Sequence, residues 1–256
     1  MIRKKKEDLD ILDLATWEKS AGPVKKKQWK KHRSAKEVAK AWLNGNNPDI
    51  PVEIKSVIEG HEDFSDITSW IAEPEYKSHF DSYDGPANLD MIVEPVDGNG
   101  KYLIGIEAKA DETFGVYIKD KFTGALEIFI DNPNSRQIDR IKALAGSLFK
   151  KNTSLPKVTD LRYQLLTGLA GTLSEAINQK VTRCIFLIHE FNTPSTKKNK
   201  RDQNQADLND FVYRLSNGEY KIVEEGKLYG PILLHGKPLF SKAPPLYIGK
   251  AVRTVH

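Results

Sequence analysis

The chain has 256 residues, of which 39% are hydrophobic and 29% are charged, and its formal net charge is +4. These values predict a soluble protein with enough apolar residues for one large domain or two small ones. They exclude a helical membrane protein, because no run approaches the roughly 20 apolar residues that cross a bilayer. No secretory signal core follows the first residues, and the single cysteine, Cys184, cannot form an internal disulfide, so a reducing cytoplasm is the expected compartment.

A basic segment lies near the start of the chain. Residues 25–33 place six Lys or Arg side chains around Trp29. Such a segment can neutralise phosphates while the indole stacks on an unpaired base; the alternative is a solvated charge run. We predict nucleic-acid contacts from Lys26, Lys27, Trp29, Lys30, Lys31 and Arg33. Residues 1–33 are interpreted as a basic arm that precedes a single α/β domain over residues 34–256.

Two helices are predicted next. Ser34 and Glu37 match a capping box that opens a helix ending at Gly45. Pro51 begins a second helix, which ends at Gly60.

The most informative stretch is a predicted hairpin over residues 88–109. Apolar and polar residues alternate in both strands, so each strand is expected to turn one face to a core and its ionisable groups to the other face. The turn at 97–100, Asp-Gly-Asn-Gly, has the composition of a two-residue loop and suits a type II′ turn with Gly98 first. This loop places Asp90 directly opposite Glu107.

The facing carboxylates predict a metal site. Cβ atoms of directly paired residues lie about 5 Å apart, so Asp90 and Glu107 repel each other unless a cation compensates them. Mg²⁺ or Mn²⁺ would do so, because such ions bind carboxylates, activate water and hold a phosphate in line for attack. Lys109, beside Glu107, could orient the water or offset phosphoryl charge. The alternative is a surface hairpin in which Lys109 pairs with one carboxylate and the other is solvated.

The rest of the chain alternates helices and strands. Ser135 could cap one helix, Thr159 or Asp160 opens another, and an apolar strand over 181–188 precedes a helix over 206–215. A second basic patch lies at 196–201, where Lys197 and Lys198 are predicted to contact nucleic acid. The order of elements favours an α/β fold with a central mixed β-sheet flanked by helices.

Asp90, the hairpin and the run Glu107-Ala108-Lys109 resemble the core signature of the PD-(D/E)XK superfamily of restriction-endonuclease-like nucleases. Residues 110–115 and 161–166 resemble a group of uncharacterised bacterial proteins placed near that superfamily. The resemblance covers roughly residues 50–190 and implies a restriction-endonuclease-like core there, with 191–256 as a C-terminal extension. The sequence departs from the family at Leu89, where proline is common.

The resemblance implies roles for individual residues. In that superfamily the Asp, the Glu and the carbonyl of the following residue bind Mg²⁺, and the Lys assists the attacking water. These roles fall on Asp90, Glu107, the backbone of Ala108, and Lys109.

Further roles are implied for residues on two helices. A glutamate on the helix before the hairpin often adds a metal or water contact, which points to Glu59, with Glu62 as the alternative. Gln164 corresponds to a helix residue that supports the site, and Arg162 could reach a phosphate. Both could equally be exposed helix residues.

The leading hypothesis is a Mg²⁺- or Mn²⁺-dependent nuclease, with DNA favoured as substrate and a homodimer left open. One alternative is an inactive nuclease-like fold that binds nucleic acid or a protein. Another is a metal-dependent hydrolase of a different phosphate ester. The sequence has no Cys/His zinc cluster and no P-loop or dinucleotide fingerprint, so an ATP-driven mechanism has no support.

Overall fold

The computed structural model describes residues 1–23, 28–83, 85–234 and 238–256. The helices are Leu14–Ala21 (α1), Ser34–Leu43 (α2), Val52–Glu59 (α3), Ile118–Asp131 (α4), Gln137–Leu148 (α5), Tyr163–Asn178 (α6) and Lys198–Leu215 (α7). The strands are Arg3–Lys4 (β1), Leu9–Asp10 (β2), Ser69–Ser78 (β3), Ala87–Asp97 (β4), Gly100–Lys101 (β5), Leu103–Lys109 (β6), Cys184–Asn192 (β7), Leu228–Ile232 (β8) and Leu246–Thr254 (β9).

A seven-stranded mixed sheet forms the centre of the fold. Its strands run in the order β3-β4-β6-β7-β9-β8, and β5 pairs with β4. The pairs β6–β7 and β7–β9 are parallel, whereas the others are antiparallel. A single α/β domain with a central mixed sheet flanked by helices is therefore confirmed. None of the helices in the described residues combines the length and apolarity needed to cross a membrane.

Helices cover both faces of the sheet. One core contains Leu144 of α5 and Leu169 of α6, and the other contains Trp17 of α1 and Trp42 of α2. Every residue of β6 is buried. The expectation that each hairpin strand keeps its ionisable face away from a core is therefore wrong for β6, because a central strand of a sheet covered on both sides has no solvent face.

The N-terminal residues are packed into the domain. Ile2, Ile11 and Trp17 are buried in the core on the α1–α3 side. The Ala72 N–H donates to the carbonyl of Met1 at 2.9 Å, which attaches the chain start to β3. Residues 1–23 thus form part of the domain, unlike the separate arm expected over residues 1–33.

Most of the predicted helices and strands are present, with shifted ends. The helices near 34–45, 51–60, 135–148, 159–173 and 206–215 all form, and the strand near 181–188 runs to Asn192. The capping box at Ser34 is wrong: the N-cap is Arg33, and the Ser34 hydroxyl donates to Glu112 instead. A side chain expected to cap the start of α2 therefore contacts the loop after β6.

Helix α6 lies close against β6 at Gly105. A Cβ atom at this position would lie 1.9 Å from Oγ1 of Thr172, whose hydroxyl donates to the carbonyl of Gly168 at 2.9 Å. Only glycine permits this approach. The contact matters for function because α6 and β6 carry candidate site residues.

We expect Gly105→Ala to lower the free energy of unfolding by about 1–3 kcal/mol, since the added methyl group overlaps a buried side chain. Denaturant unfolding measures this change. In a Thr172→Ala background the same substitution should cost less, because the overlapping hydroxyl is gone. Equal costs in the two backgrounds would contradict the packing argument.

Candidate active site

The predicted register of the hairpin is confirmed. Asp97 pairs with Gly100, and Met91 pairs with Ile106, so the ladder places Asp90 opposite Glu107. The turn type is different from the prediction: Gly98 does not have a positive φ, whereas Gly100 has a φ of 103°. Gly100, the residue with the positive φ, thus follows the two loop residues, which is the position of the glycine in a G1 bulge. The register is preserved because it depends on the loop length alone.

The signature residues meet at the carboxyl end of β6. The Ala108 N–H donates to Oδ2 of Asp90 at 2.6 Å, which fixes that carboxylate against β6. The Lys109 ammonium donates to Oε1 of Glu107 and, at 3.1 Å, to the carbonyl of Ala108. These residues line a cleft of about 460 Å³, which we call the acidic cleft. Ligand sites in α/β proteins commonly lie at the carboxyl ends of parallel strands.

Helix α6 supplies the predicted supporting residue. The Gln164 amide donates to Oε1 of Glu107 at 2.6 Å, so this oxygen accepts from both Gln164 and Lys109. Oε2 of Glu107 is buried and has no hydrogen-bond partner among the described residues. One carboxylate oxygen is therefore held in place while the other is left for a ligand.

Two acids that the sequence analysis missed also line the acidic cleft: Glu75 of β3 and Glu112 of the loop after β6. The ladder pairs Pro74 with Met91 and Tyr76 with Leu89, which places Glu75 opposite Asp90. Glu75 has a φ of 48°, a strained value for a residue with a side chain. A positive φ inside a strand has no local sequence signal, whereas Glu112 lies in the stretch 110–115 that carries the family resemblance.

The strands change faces beside this strained residue. Tyr76 and Leu89 pack on the α6 side, whereas Ala72 and Met91 pack on the opposite side. The expectation that Leu89 and Met91 share one face is therefore wrong. The β3–β4 pairing keeps one register on both sides of Glu75 and Asp90, so no residue has slipped, and the change of face in both strands coincides with the irregular backbone at Glu75.

Negative charge exceeds positive charge in the acidic cleft. Burial raises the pKa of Glu107 to about 8, and burial together with the charge of Asp90 raises the pKa of Glu75 to about 7. Burial also raises the pKa of Asp90. For Lys109, burial would lower the pKa, but the charges of Glu107 and Asp90 outweigh burial and raise it. Carboxyl groups whose pKa values burial raises, placed around one buried ammonium group, indicate a site with more acidic groups than cations.

The residues present fit a divalent cation in part. Asp90, Glu107 and the Ala108 carbonyl offer the oxygen atoms that Mg²⁺ prefers, and the unpartnered Oε2 of Glu107 is the atom for which the protein supplies no donor. Within the described ranges, no three His, Cys, Asp or Glu side chains are arranged to hold an ion by themselves. Water and substrate oxygens would thus have to complete the coordination sphere.

Three predicted contacts lie elsewhere. Glu59 accepts from the Ile67 N–H at 3.2 Å, and its helix packs on the face opposite α6, so it does not reach the acidic cleft. Glu62, its alternative, is exposed and does not line the cleft. The Arg162 guanidinium is buried and binds Oδ2 of Asp207 at 2.7 Å and the carbonyl of Gly115 at 2.6 Å. Arg162 therefore fixes a loop and is not placed to bind phosphate.

The two basic segments lie side by side near the cleft. Nδ1 of His32 is 3.0 Å from the Ser195 hydroxyl, and both Arg33 and Lys200 bind Asp111, Arg33 as an ion pair at 3.0 Å. Arg33 also lines the acidic cleft. We call these neighbouring cations, residues 30–33 and 197–200, the basic rim. Sequence reasoning proposed each patch separately and did not predict that they meet.

The individual rim residues differ in exposure. Lys30, Lys31, Lys197 and Lys198 are exposed, and Lys198 pairs with Asp202 at 2.6 Å. Trp29 is half-buried and packs against the core beneath α2, so its ring is not a free stacking platform. Lys26 and Lys27 lie outside the described residues.

His189 and Glu190 form separate structural pairs, as their opposite faces on the strand predict. Nε2 of His189 lies 2.8 Å from Oε1 of Glu53, and Glu190 pairs with Lys250 at 3.0 Å. Burial lowers the pKa of His189. For Glu53, burial raises the pKa, but hydrogen bonds from His189 and Arg253 outweigh it and lower the pKa to about 2.

The His189 shift predicts loss of stability in acid. The folded protein keeps His189 neutral while the unfolded chain takes up a proton below its pKa of about 6.5, so stability is full above that pH and falls as pH drops. The His189 contribution should be at most about 1.4 kcal/mol per pH unit. Denaturant unfolding between neutral and mildly acidic pH should show a smaller acid loss for His189→Gln than for the wild type. Exposed His79, changed to Gln, is the control and should leave the slope unchanged.

Comparison with known families identifies a matching family. A family model described as "Domain of unknown function (DUF6946)" matches residues 10–244. The chain belongs to the DUF6946 family. The match includes every residue of the acidic cleft and both segments of the basic rim. No curated protein and no solved structure matches the DUF6946 chain at a significant level.

Proposed function

We propose that this protein is a metal-dependent nuclease with a PD-(D/E)XK-type site, that it hydrolyses phosphodiester bonds, and that DNA is its preferred substrate. The observation that carries the proposal is the convergence of Asp90, Glu107 and Lys109 at the end of β6, with Oε2 of Glu107 buried and unpartnered. The DUF6946 match assigns no activity and leaves the proposal to the site geometry.

Asp90, Glu107 and the Ala108 carbonyl would hold Mg²⁺ or Mn²⁺, which supplies an activated water and charge compensation at the phosphate. Asp90 is held for this task by the Ala108 N–H, and Glu107 by Gln164. Glu75 and Glu112 add acceptors on the cleft wall, so the strand glutamate Glu75 would take the role that the sequence analysis gave to Glu59.

Lys109 is the residue that would act on the reacting atoms. Its ammonium is buried, 3% of the residue is exposed, and it contacts Glu107 and the Phe114 ring at the lining of the cleft. From that position it can orient the attacking water or stabilise charge that develops on the phosphoryl oxygens. Its charge is retained because the surrounding acids favour the protonated form.

The basic rim supports a nucleic acid as the substrate. A polymer lying across the cleft would meet Lys30, Lys31 and Lys197 beside the scissile bond, and phosphate neutralisation by such groups dominates affinity for nucleic acids. A small phosphate ester would not use these contacts.

The test is a cleavage assay with purified protein, Mg²⁺ or Mn²⁺, and a panel of DNA, RNA and a small chromogenic phosphodiester. Cleavage of a nucleic acid supports the proposal. Turnover of the small ester alone would point to a different phosphohydrolase.

A second candidate function is binding without catalysis. It is favoured by the burial of the signature pair, since Glu107 is 1% exposed and Lys109 is 3% exposed. Metal-independent, salt-sensitive nucleic-acid binding together with no cleavage across the panel would establish this alternative.

A further inference from the structure

A second, larger cleft adjoins the acidic cleft. It has a volume of about 710 Å³ and lies between the β3–β4 connection, the facing ends of α4 and α5, and the start of α6. Gln164, which binds Glu107, lines both clefts. The residue that supports the candidate catalytic glutamate therefore forms a wall shared by both clefts. We call the larger one the outer groove.

The outer groove has the opposite charge to the acidic cleft. Its described lining residues include the cations Lys121, Arg136 and Arg140 and no Asp or Glu. Arg140 is fixed by Asp81 at 3.0 Å and by the carbonyl of Gly85 at 2.6 Å, while Arg136 forms an exposed ion pair with Asp139 at 2.8 Å. A lining of this composition selects a negatively charged ligand.

Aromatic rings accompany each of these cations. The Arg140 guanidinium lies 4.4 Å from the Phe80 ring centroid, and Arg136 lies 5.1 Å from that of Tyr83. Lys121 is 5.8 Å from the Tyr163 ring. Amide side chains complete the lining, namely Asn88, Asn132, Asn134 and Gln137. Phe80 is buried and Tyr163 packs against the core, so Tyr83 is the ring on which a base could stack. This ring, the amides and the cations together match the faces, edges and phosphates of nucleotides.

A double helix cannot stack its bases on the aromatic part of such a lining, because its bases are stacked on each other and their faces are hidden. Unpaired bases expose both their faces and their pairing edges, and these are the groups that aromatic and amide side chains bind. The groove chemistry therefore distinguishes an unpaired strand from a duplex.

We propose that the outer groove binds an unpaired stretch of nucleic acid strand next to the bond to be cut. This inference rests on the proposed nuclease function and narrows its substrate to single-stranded or splayed nucleic acid. Tyr83 stacks on a base and Arg136 contacts a phosphate.

The test measures binding in EDTA, so that no cleavage occurs. A labelled oligothymidine and a duplex of the same length are titrated with the wild type and with Tyr83→Ala, Tyr83→Phe and Arg136→Gln. The matched control is Lys227→Gln, because Lys227 forms a similar exposed ion pair with Glu224 beside β8, at the opposite edge of the sheet from β3.

We expect tighter binding of the single strand than of the duplex. Tyr83→Ala should weaken single-strand affinity on the order of tenfold, while Tyr83→Phe keeps the ring and the affinity. Arg136→Gln should reduce the slope of log affinity against log salt by about 0.7. Lys227→Gln should bind like the wild type.

Equal affinity for duplex and single strand, or wild-type binding by both Tyr83→Ala and Arg136→Gln, would overturn the inference. The proposed function is tested separately. If the wild type binds the single strand as expected but cuts nothing with Mg²⁺ or Mn²⁺, the groove inference stands and the proposed nuclease function is wrong. If the groove variants cleave normally, the nuclease function stands and the role of the groove in substrate binding is wrong.

Discussion

Replacing Lys109 with methionine should lower nucleic-acid cleavage by roughly 100- to 1,000-fold, the range typical for loss of one group that stabilises charge in the transition state. Methionine has a similar length and no charge, so the cleft keeps its shape while the ammonium beside Glu107 disappears. Single-turnover cleavage at saturating Mn²⁺ separates this effect from weaker binding. Mn²⁺ affinity, measured by calorimetry, should not fall, because a neighbouring positive charge is removed.

Lys250→Met provides the matched control. Lys250 is also buried and pairs with Glu190 at 3.0 Å, but it does not line the acidic cleft. The Lys250→Met variant should be less stable, because Glu190 is left unpaired, and should keep its cleavage rate per folded molecule. If Lys109→Met and Lys250→Met retain equal activity, Lys109 is a structural residue and the catalytic proposal is wrong.

Asp90→Asn should weaken Mn²⁺ binding at least about tenfold, because losing even a residue that only contacts a metal ligand commonly lowers metal affinity by that factor. The same substitution should leave the metal-free protein as stable as the wild type or more stable. Asparagine keeps an oxygen to accept the Ala108 N–H, now at 2.6 Å from Asp90, and removes one acid from an overly acidic cleft. Function and stability therefore change in opposite directions.

Thermal unfolding with and without Mn²⁺ tests this prediction without relying on activity. A ligand at about 100 times its dissociation constant stabilises the folded state by about 2.7 kcal/mol, and this gain should be reduced in Asp90→Asn. Asp97→Asn, on the same strand, is the control. Asp97 pairs with Arg183 at 2.7 Å, so its loss should reduce stability and leave the Mn²⁺ response intact. Identical Mn²⁺ responses in both variants would contradict metal binding at Asp90.

The local part of the site was predictable from the sequence. A two-residue loop at Gly98 and Asn99 fixes the pairing of both strands, so Asp90 and Glu107 could be placed opposite each other by counting residues. Even the wrong turn type did not alter the result, because register depends on loop length. Helices α2, α3, α5, α6 and α7 were predictable because their apolar residues follow a 3.6-residue period, whereas α1 and α4 were not predicted.

The long-range part was not predictable. Glu59 was chosen because its helix precedes the hairpin, but α3 packs on the other face of the sheet, and chain order does not specify a face. Glu75 reaches the cleft because β3 pairs with β4, and the sequence analysis did not identify β3 as a strand. The meeting of the two basic segments depends on a contact between His32 and Ser195, which are far apart in the chain.

The contrast between the acidic cleft and the outer groove has a consequence for the order of events. Four carboxyl groups, those of Glu75, Asp90, Glu107 and Glu112, line the acidic cleft with Lys109 and, when ionised, would repel an approaching polyanion. The outer groove carries three cations and would attract the same polymer. A substrate would therefore be captured and sorted in the groove first, and its scissile linkage would enter the cleft only after the excess acidity there had been neutralised.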